Sequence, residues 1–245
     1  MIRLPNIKSK AKFIILAVLS ILTAVLLSVN IRQVTVSGNS QYTGNEIVEL
    51  IFQKNMDWNS AYCYLKEKLE IQHEQIPFVE DYKLIFHDPF HVEIIVHEKS
   101  VVGYVSYMSS YMYFDKDGIV VESANKKLAD IPLIEGLRFG HIVLHQALPV
   151  ESHEIFEDIL KLTQVLETYG LIVDKIQYDT KGDATLFMQE LEIFLGDSSD
   201  INGKIAELSD MMPQLAGNSG VLYLNTYDPI NRQMMYTFKK KSQNN

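Results

Sequence analysis

Residues 82–98 read YKLIFHDPFHVEIIVHE, and this stretch decides the fold of the first half of the chain. Tyr82, Leu84 and Phe86 recur at every second position, as do Val92, Ile94 and Val96. A period of two puts each set on one face of a strand. Between them His87-Asp88-Pro89-Phe90 supplies the turn, with a proline that cannot continue a ladder. Two antiparallel strands with one apolar face need a cover, and the preceding sequence offers it. Val34 and Val36 alternate with polar neighbours until Ser37-Gly38-Asn39 breaks the strand. Thr43-Gly44-Asn45-Glu46 has the spacing of a capping box, followed by Ile47, Leu50 and Ile51 at helical intervals. A second helix is predicted from Trp58 to about Leu69, with Ala61, Tyr62, Leu65 and Leu69 as its inner stripe, ended by Pro77. The order over residues 32–99 is β-α-α-β-β.

Upstream, Phe13 to Val29 reads FIILAVLSILTAVLLSV, 17 residues without charge or proline, twelve of them Phe, Ile, Leu or Val. At 1.5 Å per residue this spans ~26 Å, close to a ~30 Å hydrocarbon core. The sequence-level expectation is one transmembrane helix over 13–31, with Phe13 and Val29 bounding the anchor. Arg3, Lys8, Lys10 and Lys12 make residues 1–12 basic, which assigns that tail to the cytoplasmic side and the remainder to the outside, as a single-pass type II protein. A cleaved signal peptide is the rival, but Leu27-Ser28-Val29-Asn30 lacks the small-x-small pair ending in Ala. The remainder carries 18 basic against 31 acidic residues, a balance unsuited to binding phosphate backbones. Cys63 is the only cysteine, so no intramolecular disulfide forms and a hydrophobic core must hold the fold.

Residues 100–240 read as a second, mostly antiparallel β unit with two helices. Strands are predicted at 101–107, 111–114 and 119–122, with Asp115-Lys116-Asp117-Gly118 as a hairpin turn, then at Pro132-Leu133-Ile134. A helix over 152–168 carries Ile155, Ile159, Leu162 and Leu166 on one face and stops at Gly170. Strands near 172–178, 184–188 and 192–195 precede a helix over 200–215, with Ile201, Ile205, Leu208, Met212 and Leu215 inside and Pro213 disturbing its last turn. Two last strands, 221–227 and 232–238, flank Asp228-Pro229-Ile230-Asn231, and 241–245 is a polar, disordered tail. The fold class is therefore α+β: a transmembrane helix, a β-α-α-β-β domain and an antiparallel β domain with two helices.

Chemistry-bearing motifs are scarce. The sequence contains no G-x-G-x-x-G, no G-x-x-x-x-G-K-[ST], no G-x-S-x-G and no H-E-x-x-H. His87/His91 and His141/His145 are spaced by four, but the first pair straddles a proline turn and the second reads as a strand, where four residues separate side chains by ~13 Å. The acid pairs Glu190/Glu192 and Asp197/Asp200 read as solvated surface. Neither a cofactor nor a metal site is expected. What remains is binding: the strand 232–238 ends the folded chain, and an edge strand exposes N–H and C=O groups to a partner strand.

Taken in order, these segments resemble the bacterial division protein family FtsQ, called DivIB in Gram-positive bacteria. The pieces are Val34-Thr-Val-Ser-Gly-Asn39 with Thr43…Glu46-Ile47, Ile76-Pro77-Phe78-Val79, Pro89 to Glu98, Tyr113-Phe-Asp115-Lys-Asp-Gly118, Ile131-Pro-Leu-Ile134 and Phe194-Leu195-Gly196. The resemblance implies a POTRA domain over 32–99 and a non-enzymatic scaffold of the divisome at the septum. Its partners are small coiled-coil membrane proteins similar to FtsL and FtsB (DivIC), and a septal penicillin-binding protein. It also implies that a partner strand adds to the C-terminal edge, at Tyr227, Arg232, Met234 and Tyr236. The competing classes are an extracellular wall-acting enzyme or sensor ectodomain, which needs a polar cleft, and a secretion-type POTRA module, which needs neighbouring repeats.

Overall fold

The computed structural model describes residues 7–71, 73–230 and 235–241, with side chains from Lys12 onward. The chain divides into two compact units, Met1–Glu98 and Lys99–Asn245.

The first unit contains α1 (Ile7–Ser28), β1 (Gln33–Ser37), α2 (Gly44–Ile51), a 3-10 turn (Asn55–Trp58), α3 (Ser60–Lys68), β2 (Val79–Asp88) and β3 (His91–Glu98). Its sheet has the order β1-β3-β2. β2 and β3 pair antiparallel with Leu84 opposite Ile94, while β1 pairs parallel to β3 with Val34 opposite Val92. A parallel pair cannot be closed by a tight turn, so the helices lie in the crossover. Ile47 and Phe52 from that crossover bury against Tyr82, Val92, Ile94 and Val96. The Thr43 capping box forms as the spacing requires: Thr43 Oγ1 accepts from Glu46 N–H at 3.3 Å, and Glu46 Oε2 accepts from Thr43 N–H at 2.7 Å.

Two expectations for this unit are corrected. Among the described residues no helix is long and apolar enough to cross a membrane, so the fold class loses its transmembrane helix over 13–31. The reason is length: the uncharged part of α1, from Phe13 to Ser28, rises only ~24 Å, short of a ~30 Å hydrocarbon core. The basic residues Arg3, Lys8 and Lys10 lie outside the described side chains. The second correction concerns α3. It forms where expected, but Tyr62, Leu65 and Leu69 are exposed, and Ser60 and Cys63 are the buried residues. Polar anchors, not apolar periodicity, choose the inward face. Asn59 is the chief of them and is 3% exposed. Its Oδ1 accepts from Tyr62 N–H at 2.9 Å, capping α3, while its amide donates to the carbonyls of Leu26, Leu27 and Val29, each at 3.1 Å, capping the end of α1. Ser60 Oγ adds a bond to the Pro89 carbonyl. Glu67 Oε2 meets His73 Nε2 at 3.1 Å, and His73 Nδ1 meets Asp81 at 2.9 Å. Cys63 donates to the Asp57 carbonyl, and burial pushes its thiol up to about 11.

The second unit is a sheet of nine strands with two helices. In chain order these are β4 (Gly103–Tyr107), β5 (Ser110–Phe114), β6 (Val120–Ala124), β7 (Leu133–Glu135), α4 (His153–Thr168), β8 (Lys175–Tyr178), β9 (Ala184–Met188), β10 (Leu191–Gly196), α5 (Ile201–Leu215), β11 (Gly220–Tyr223) and β12 (Thr237–Lys240). The sheet order is β12-β11-β10-β9-β8-β7-β4-β5-β6. The expectation of a mostly antiparallel domain is modified here, because β4–β7, β7–β8 and β10–β11 are parallel. The unit is a mixed α/β structure. α4 joins β7 to β8 and α5 joins β10 to β11, both parallel neighbours. Both crossovers step in the same direction along the sheet from strands of the same orientation. The right-handed crossover rule therefore puts both helices on one face. Ile159, Leu162 and Leu166 of α4 and Ile205 and Leu208 of α5 close one core with Ile176, Leu186 and Ile193. Residues 141–145, read as a strand, are irregular, and His145 adopts φ +62°. His141 Nδ1 pairs with Tyr107 Oη at 3.0 Å instead. Of the expected tail 241–245, residues 242–245 lie outside the described residues.

Candidate partner-binding edge

The two borders of the large sheet differ. At β6 the border is covered: Val120 N–H donates to the Gln146 carbonyl at 2.9 Å, and His145 N–H donates to the Val120 carbonyl at 2.7 Å. Lys99 Nζ then donates to the Val121 carbonyl at 3.2 Å and meets Glu122 at 2.9 Å. These contacts blunt the edge as natural sheets commonly do.

At the opposite border, among the described residues, β12 pairs only with β11, with Phe238 opposite Leu222 and Lys239 opposite Val221. Lys241 N–H donates to the Ser219 carbonyl at 3.1 Å, and Gly220 N–H donates to Glu190 on the β10 side. In an antiparallel ladder successive residues aim their backbone groups to opposite sides. Lys239 and Lys241 therefore bond into the sheet, and the N–H and C=O of Phe238 and Lys240 aim away from it. This strand starts at Thr237, five residues after the expected Arg232: Met235 and Tyr236 precede the ladder, and 232–234 lie outside the described residues.

Side chains divide by the same parity. Phe238 packs with Leu222 and Ile193 towards the core. The opposite face carries Lys239, whose Nζ lies 5.0 Å from the Tyr223 ring centre, and Tyr223 meets Phe194 edge-on at 6.2 Å. Lys241 Nζ pairs with Glu192 on this border. Lys240 is exposed.

Of the four residues that the resemblance assigns to the contact, Arg232 and Met234 lie outside the described residues. Tyr227 and Tyr236 are brought close to each other and to Glu207 of α5: both phenols are raised above their ordinary range, Tyr227 by burial, then the Asp200 and Glu207 carboxylates, and Tyr236 by burial, then Glu207. Tyr227 lies on α5 where Gly203 leaves it room, since a Cβ there would stand 2.3 Å from its hydroxyl. Tyr236 packs against the core and Met235 is 96% exposed. Sequence reading placed Phe238 in the edge strand but did not single out Phe238 or Lys240, whose backbone groups aim outward. Only the pairing partner of a strand sets that direction, so no side-chain pattern carries the signal.

No family model matches the chain. It is similar to the cell division protein DivIB of Clostridium acetobutylicum, with 22% identity over 181 residues, covering 73% of this chain and 71% of that protein. That similarity, spread over most of both chains, supports the resemblance to DivIB division proteins drawn from the segments between Val34 and Gly196.

Proposed function

We propose that this chain is a non-enzymatic scaffold of the bacterial division complex, and that it recruits membrane-bound partners to the septum by accepting a strand at β12. The similarity supports the division role. The single observation that carries the binding mode is the border of the large sheet, where Phe238 and Lys240 aim their backbone groups outward, unpaired among the described residues, while β6 is covered. Backbone pairing supplies affinity, and alternate side chains supply selectivity. Thr237, Lys239 and Tyr223 would meet one side chain set of the incoming strand, and Phe238 with Tyr236 the other. The partners are proteins similar to FtsL and FtsB (DivIC), acting together with a septal penicillin-binding protein.

The test uses two prolines one residue apart. Lys240→Pro removes an N–H that faces the partner and leaves the β11 ladder whole, whereas Lys239→Pro removes one that faces β11. Co-purification with the coiled-coil partners should fall at least tenfold for Lys240→Pro in a protein that melts like wild type. Full binding by a folded Lys240→Pro protein would falsify strand addition at β12.

A further inference from the structure

α3 presents its apolar side outward. Tyr62, Leu65 and Leu69 are 40%, 57% and 62% exposed and follow one another at intervals of three and four, so they form one stripe along the helix. At 3.6 residues per turn, Lys66 projects about 70° to one side of that stripe and Lys68 about 90° to the other. The only acid within α3, Glu67, is turned away: Oε2 meets His73 and Oε1 accepts from Leu84 N–H at 3.3 Å. The inward face is held by Asn59, Ser60 and Glu67, so rotation of the helix cannot hide the stripe. The apolar surface continues beyond the cap, because Asn59 bonds α3 directly to the last turn of α1, where Leu26 and Leu27 are also exposed. Just past the helix end, Glu70 is exposed. After α1 this unit holds five basic against eleven acidic residues, so the positive charge at the stripe is local, on Lys66 and Lys68.

We propose that the outward face of α3 docks in plane on an anionic lipid surface. An apolar stripe flanked on both sides by lysines is the pattern of an interfacial helix: the stripe enters the acyl boundary, and the ammonium groups reach out to headgroups from aliphatic stems. Tyr62 suits that boundary with its apolar ring and polar tip. Each lysine gains from a negative surface potential that salt screens. A helix lying on the surface is distinct from one crossing it, and the inference does not depend on strand addition at β12.

The full chain carrying Cys63→Ala and Leu65→Cys, labelled with an environment-sensitive dye, tests this against vesicles of phosphatidylcholine with and without phosphatidylglycerol. The expected result is a blue shift with several-fold brightening on the anionic vesicles only, reversed by salt and lost in Lys66→Glu/Lys68→Glu. A label at Lys83 should stay unshifted. Trp58, the only tryptophan, gives a second reading without the cysteine exchange: brominated anionic lipid should quench it, and the double charge reversal should abolish the quench. Equal shifts on both vesicle types, indifference to the charge reversal, or protection of Leu65 only when partner proteins are added would each overturn the proposal, the last in favour of a protein partner.

Discussion

At the scale of single residues, buried polar groups decide local structure in both units. Lys204 is 2% exposed, yet its ammonium is met by the Asp197 carbonyl at 2.9 Å and by Asp197 Oδ1 at 3.0 Å. Ser199 donates to the same oxygen, and hydrogen bonds from Ser199 first and Lys204 second hold the Asp197 carboxyl at about 2, below its ordinary 3.8. A carboxyl whose folded value is depressed contributes stability above its unfolded value and loses it as pH falls through the folded one. Stability should therefore decline between pH ~5 and pH ~2, and Asp197→Asn should be less stable at neutral pH and show a flatter decline. Urea melts at a series of pH values read both. An equal slope in the variant would mean that the Asp197 charge contributes nothing. The sequence marks Asp197 only as a solvated acid, and Lys204 not at all, because a lysine at one helical position beside Ile201, Ile205 and Leu208 looks like a surface residue. Asn59 is similar: nothing in its neighbours announces that one amide serves two helix ends.

At the scale of elements, β12 and α3 show how context overrides pattern. The stretch 232–238 alternates well enough to read as a strand, but among the described residues ladder pairing begins at Thr237, after Met235 and Tyr236. Lys239→Pro should cost the border about 1–3 kcal/mol, measured as a lower urea midpoint, while Lys240→Pro should change the midpoint little. A loss of equal size in both variants would mean that the outward parity of Lys240 is wrong. For α3, the intervals between Tyr62, Leu65 and Leu69 identify an amphipathic helix correctly. Which face turns inward is set by Asn59, Ser60 and Glu67, whose partners lie 17 to 33 residues away along the chain. By contrast, the helices at 153–168 and 201–215 pack the faces their periodicity marks, since each crosses between parallel neighbours over a single apolar sheet face.

At the scale of the whole molecule, each unit closes its own core. Ile94 is fully buried in the first and Ile193 in the second. Ile94→Ala should destabilise its unit by about 2–5 kcal/mol through the lost methylenes and the cavity left behind. Trp58 belongs to the first unit, so its fluorescence reports that transition alone. Ile193→Ala should shift the transition seen by circular dichroism and leave the Trp58 midpoint in place, and Ile94→Ala should do the reverse. Movement of the Trp58 midpoint by Ile193→Ala would reveal a single cooperative unit. Local pattern alone determined the β-α-α-β-β order, the Thr43 cap, the two later helices and the likeness to a division family, because periodicity and capping act within a few residues. Tertiary structure decided the mixed sheet, the shortfall of α1, the outward stripe of α3 and the open border at β12. Those depend on which distant strands pair and which polar groups are buried, and hydrogen-bond direction across a ladder is written in no single strand.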